Sequence, residues 1–148
     1  MSTHLVSPIV PPLLAMQLVA FGWRINREIP LGDQGRKTWF PLPDFVNILS
    51  MCSVVVFAVI LPLANDPPPK AAWVVIGTAY VLLAFHPITM AAHYRLCSKE
   101  GRAVYKQKGN KHYRKDEDFP YATGQEIASL LVSLACATIA AWFLWCRV

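Results

Sequence analysis

Residues 5–23, 45–64, 71–93 and 127–145 contain no Asp, Glu, Lys or Arg, although the 148-residue chain carries 14 basic and 9 acidic side chains. Without acidic groups in these runs, the carboxylate relays common in proton-coupled transporters and rotary motors are not expected. The four cysteines, Cys52, Cys97, Cys136 and Cys146, form no Cys-x-x-Cys pair, which argues against a redox motif and a zinc ribbon. There is no Gly-x-x-x-x-Gly-Lys loop for phosphates, no His-Glu-x-x-His and no Gly-x-Ser-x-Gly elbow. Nothing in the spacing of Ser, His and Asp proposes a triad. No catalytic residue and no metal centre are predicted, and the cofactor, if any, is left unspecified.

What the chain has instead is apolar length. A helix crosses a hydrocarbon core of roughly 30 Å in about 20 residues, and each of the four runs matches that length. A soluble 148-residue bundle would have to bury helices that are apolar on every face, and a core of that size has too few interior positions. The expected fold class is all-α: a polytopic membrane protein, one domain over residues 1–148, with four transmembrane helices at about 8–24, 44–63, 71–94 and 124–145.

The charges sort accordingly. Arg24, Arg27, Arg36 and Lys37 follow the first run, and Arg95, Lys99, Arg102, Lys106, Lys108, Lys111, Arg114 and Lys115 follow the third. Lys70 and Arg147 are the remaining two. Basic residues near span ends stay on the cytoplasmic side, so loops 25–43 and 95–123 are expected to be cytoplasmic and both termini to face away. Trp23, Trp39, Phe40, Tyr94, Phe119 and Tyr121 fall at the cytoplasmic ends, and Trp73, Trp142 and Trp145 at the outer ends, as two aromatic belts would. The localisation expected is an inner, plasma or endoplasmic reticulum membrane.

Run one is short and proline-rich. With Pro8, Pro11 and Pro12 at its outer end, a helix starting near Pro11 and ending near Trp23 or Asn26 covers only about 20–24 Å, which leaves a re-entrant course as an alternative to a full crossing. Met1 to Ser7 lacks the basic n-region of a cleaved signal, so an anchor with its N-terminus outside is expected. Asp44 stands ready to cap run two, which stops at Pro62 and the turn Asn65-Asp66-Pro67-Pro68-Pro69. Run four opens with Thr123-Gly124-Gln125-Glu126, a capping box. Within it, Ser129, Ser133, Ala137 and Ala141 recur every fourth residue and form a groove for a second helix, either of the same bundle or of another subunit.

The candidate ligand or ion site is His86, with Thr89 and His93 on roughly the same face. Pro87 should kink the helix and free the Leu83 carbonyl at membrane depth. His86 is then the main titratable group near the midplane. It is open to a proton or ion step, to axial ligation of haem or a chlorophyll-type pigment, to a subunit contact, or to plain satisfaction by Tyr80, Asn47 or Gln17. His93, at the cytoplasmic boundary, is expected to touch water or headgroups.

Arg95, Lys99, Arg102 and Lys106 are spaced as one helical face, and Lys108, Lys111, Arg114 and Lys115 prolong the charge. This set is expected to set topology and to attract anionic lipid or an acidic partner, by about 1 kcal/mol per basic residue near the surface. Nucleic acid is a poor candidate, since Tyr105 and Tyr113 lack a fold to present them. The function expected is that of a non-enzymatic membrane protein working through assembly, as an accessory subunit of a larger complex or as a homo-oligomer. The alternative is an ion- or proton-conducting, or haem- or pigment-holding, protein built around His86.

Overall fold

The computed structural model describes residues 6–33, 41–64, 69–94, 97, 99 and 123–148; the side chains of 6, 7, 27, 28 and 30–33 are not described. Among these residues are four long helices: α1 (Val6–Asp33), α2 (Leu42–Ala64), α3 (Lys70–His93) and α4 (Gly124–Arg147). Among the described residues there is no strand. Each helix is long and apolar enough to cross a membrane. At most 22% of the apolar window of any one is buried, so most of that surface faces outward. Met16, Val19, Leu49, Leu63, Leu131 and Ile139 are all exposed, which would be costly in water and is neutral in lipid. The chain is thus a multi-pass helical membrane protein by length and composition.

Local chemistry explains most helix ends. Pro41 and Pro69, both in extended backbone, precede α2 and α3, and Pro43 falls in the first turn, where a missing N–H removes no helical bond. α4 starts on the predicted capping box: the Thr123 hydroxyl accepts from the Glu126 N–H at 3.0 Å, and the Glu126 carboxylate accepts from the Thr123 N–H. Two features differ from expectation, the length of α1 and the place of the irregular stretch. α1 is not short, because the helix includes Pro8, Pro11 and Pro12 and continues past Asn26 to Asp33, 28 residues or about 42 Å. α3 holds Pro87 inside continuous α-helix from Lys70 to His93. The irregular stretch lies instead in α2, where Val55–Ile60 widens to a π-helix before the chain returns to α-helix at Leu61–Ala64. Pro62 can donate nothing to the Ala58 carbonyl four residues back, and a local shift to i→i+5 bonding accommodates that loss; the Leu61 N–H bonds to Val56 O in that pattern.

Packing divides the bundle into two halves. Where α1 and α3 begin, Val10, Leu13, Val54, Ala58, Ala72, Trp73, Ile76 and Ala79 form the apolar core. Trp73 belongs to this core at 9% exposure rather than to an interfacial belt, whereas Trp23, Trp142 and Trp145 are exposed. α4 packs most extensively on α3, close enough that a Cβ at Gly77 would fall 2.2 Å from Leu144 Cδ1. Of the four small residues along α4, Ser133 and Ala137 are buried, and Ser129 and Ala141 are half-buried. The opposite half, where α1 and α3 end and α2 and α4 begin, is filled with polar groups.

A buried charge network as the candidate functional site

All four helices contribute ionisable side chains to the interior of this half. Arg24 is 17 residues beyond Ser7 on α1, immediately after the first apolar run, yet it is 4% exposed. Asp44, in the first turn of α2, is fully buried. It makes no capping bond to its own helix, contrary to expectation. Its Oδ2 lies 3.3 Å from Arg24 Nε, and its Oδ1 lies 3.1 Å from His86 Nε2. An ionised carboxylate can only accept, so with Asp44 ionised the hydrogen of this bond belongs to His86 Nε2. Arg24 also donates to the Tyr94 hydroxyl and lies 5.7 Å from the centroid of that ring. Tyr94 is therefore turned toward the bundle, not only toward the interface.

The second cluster stands two turns along α3. His93 is buried, and its Nδ1 lies 2.8 Å from Glu126 Oε2. Glu126 is 0% exposed and ties three helices: Oε2 takes His93, while Oε1 accepts the Leu42 N–H at 3.2 Å. The cap expected of Asp44 is thus supplied to α2 by a carboxylate of α4, which answers a donor that the start of a helix leaves unpaired. Thr123 completes the joint by donating to the Ala92 carbonyl at 3.1 Å.

These contacts revise the expected surroundings of the histidines. His86 is not satisfied by Tyr80, Asn47 or Gln17. Its partner is a carboxylate that sequence order assigned to a helix end. His86 lies seven residues, about 10 Å, from the end of α3, on the charged side of the helix midpoint. His93 is held inside rather than left to water or headgroups. Thr89 is buried and bonds its own helix, donating to His86 O at 2.9 Å and contacting Phe85 O at 3.3 Å. Tyr80 donates to the Ile9 carbonyl, pinning α1 to α3 at the opposite end.

Below the charges, neutral amides continue the polar strip. Gln17 Nε2 donates to Ser50 Oγ at 3.1 Å, and Asn47 Nδ2 donates to the Gln17 carbonyl at 3.2 Å. Gln17 Oε1 is buried without a hydrogen-bond partner among the described residues. The strip then stops, because Leu13, Val54 and Ile76 close the bundle. Pro43, Val46, Asn47, Leu82, His86, Thr89, Leu130 and Ser133 surround a cavity of about 10 Å³. That space admits a water but not a haem or a chlorophyll-type ring. Among the described residues no three His, Cys, Asp or Glu side chains gather as metal ligands.

Of the basic set after α3, Lys99 is described and exposed, whereas Arg95, Arg102, Lys106, Lys108, Lys111, Arg114 and Lys115 lie outside the described residues. The buried roles of Arg24, Asp44 and Glu126 escaped the sequence reading. A signal was present: each stands next to an apolar run, and His86 and His93 share one face of α3. Compared with protein-family models, curated proteins and solved structures, the chain has no match, so the reading of the site rests on its geometry.

Proposed function

We propose that the protein is a non-enzymatic, multi-pass membrane protein that binds and releases protons at one face of the bilayer and passes that change to a partner. The observation that carries this reading is the fully buried Asp44, shared between Arg24 and the imidazole of His86. Ionisable groups at membrane depth are costly, and a histidine changes charge within the physiological range, so the pairing suits a proton-responsive element. His93 on Glu126 adds a second imidazole–carboxylate pair at the point where α2, α3 and α4 meet. The apolar core across the other half argues for a one-sided site and against an open conduit. Histidine-selective 15N spectra of the purified protein should show reversible protonation between about pH 5 and 8. Proteoliposomes should show no sustained proton flux. Histidines that never change state in that range would remove the proposal, and a steady flux abolished by His86→Ala would replace it with a conducting function.

The charged end is assigned to the cytoplasmic side on the strength of the basic residues flanking it. Cys97 and Cys146 are both exposed and stand at opposite ends of the bundle, so native thiols report the orientation. A membrane-impermeant maleimide should label Cys146 in intact cells and Cys97 only after permeabilisation. The reverse pattern would invert the topology.

A further inference from the structure

The cavity beside His86 is lined by four polar side chains from three helices: Asn47 of α2, His86 and Thr89 of α3, and Ser133 of α4. Their hydrogen-bonding capacity is only partly used. His86 spends Nε2 on Asp44, which leaves Nδ1. Asn47 spends its Nδ2 on the Gln17 carbonyl, which leaves Oδ1 as an acceptor. Thr89 donates its hydroxyl to backbone and keeps lone pairs. A buried water needs roughly 10–15 Å³ and two to four polar partners, and the cavity, at about 10 Å³, meets both conditions at the margin of one molecule. Pro43, Val46, Leu82 and Leu130 supply apolar walls beside these polar groups.

We infer that this cavity binds a single water that joins the His86 imidazole to Ser133 and to the Asn47–Gln17–Ser50 strip, so that a proton reaching the Asp44–His86 pair has a hydrogen-bonded neighbour on its inner side. The inference deepens the proton-binding reading and rests on it. The groups facing His86 are Asp44 from α2, with Arg24 of α1 behind it, and Ser133 and Leu130 from α4. Asn47 of α2, Thr89 of α3 and these two α4 residues are not ionisable, so the cavity side of the ring meets neutral groups.

The test uses the full chain in lipid nanodiscs, with 15N-labelled histidine and water as the probe. In the wild type, water magnetisation should transfer to the His86 ring. Ser133→Ala keeps the space and should preserve the transfer. Ser133→Val fills the space with two methyl groups and should abolish it. If Ser133→Val does not fold, Leu130→Phe fills the same cavity from a neighbouring wall. No transfer in the wild type, transfer unchanged by filling, or transfer lost on adding sodium ions overturns the inference, the last in favour of a cation site. The same spectra separate the two readings. A His86 that titrates without a bound water leaves the proton-binding proposal standing, and a bound water beside a His86 that never titrates removes the proposal instead.

Discussion

The two halves of the bundle are held together by different physics. In the apolar half, Leu13, Val54, Ile76 and Trp73 touch one another, but they would be almost as comfortable against lipid chains. Their association therefore gains from close packing and not from escape from solvent. In the charged half, Arg24, Asp44, His86, His93 and Glu126 have no comparable alternative in hydrocarbon, and each finds its partner on a different helix. α1 illustrates the contrast, since hydrogen bonds from Gln17, Asn47, Tyr80 and Arg24 tie it to α2 and α3. Polar contacts fix which helices meet and at what height, and apolar contacts fill the space between them.

The largest expected effect comes from breaking the centre of the charged half. Asp44→Ala leaves Arg24 and the His86 ring facing each other without the carboxylate, and removing one member of a buried ion pair costs about 3–5 kcal/mol. Asp44→Asn keeps an acceptor for His86 and should lose less. Leu13→Ala is the control in the apolar half, at an equally buried position. Core truncations of this kind cost about 2–5 kcal/mol in water-soluble proteins. Here the transfer component is largely absent, so a value at the bottom of that range is expected. Unfolding in mixed micelles measures all three, and equal losses for Asp44→Ala and Leu13→Ala would erase the proposed difference between halves.

The sequence made one half far more legible than the other. Hydropathy depends on local composition, so the four spans and the capping box of α4 could be read from neighbouring residues. The charge network depends on which helix ends converge. Arg24 and Asp44 are 20 positions apart in the chain, and His93 and Glu126 are 33 apart. A residue just outside an apolar run looks like a solvated boundary group until a second boundary group is brought against it. The same locality explains Trp73, whose position near a span end says nothing about whether it faces lipid or the core. α1 was misjudged for a different reason: prolines weaken an isolated helix, but Pro8 falls in its first turn, and packing against α2 and α3 carries the helix past Pro11 and Pro12.

An intermediate effect is expected at Glu126, where the charged half doubles as a helix cap. Glu126→Gln retains an oxygen for the Leu42 N–H but sets an amide NH2 against the Thr123 N–H and removes the charge opposite His93. Losing one capping bond and one charge-assisted bond amounts to about 1–3 kcal/mol. The change should appear as faster amide exchange in the first turns of both α2 and α4. Exchange accelerated in α4 alone would mean that the bond from Leu42 adds nothing, and that the joint between the helices lies elsewhere.

The smallest effect tests how closely α3 and α4 are fitted where no charge is involved. A methyl group at Gly77 would stand 2.2 Å from Leu144 Cδ1, so something must move. The obstructing atom is the tip of a flexible, half-buried side chain, and shifting it off its rotamer costs about 0.5–1.5 kcal/mol. Ala in place of Gly within a helix returns up to about 1 kcal/mol. Gly77→Ala should therefore change stability by less than about 1 kcal/mol in either direction. Gly77→Leu cannot be absorbed by one side chain and should separate the two helices, which faster amide exchange in the facing turns of α3 and α4 would detect. If Gly77→Ala alone destabilised the protein as much as Asp44→Ala, the apolar contacts would be as exacting as the ionic ones, and the division of labour between the halves would not hold.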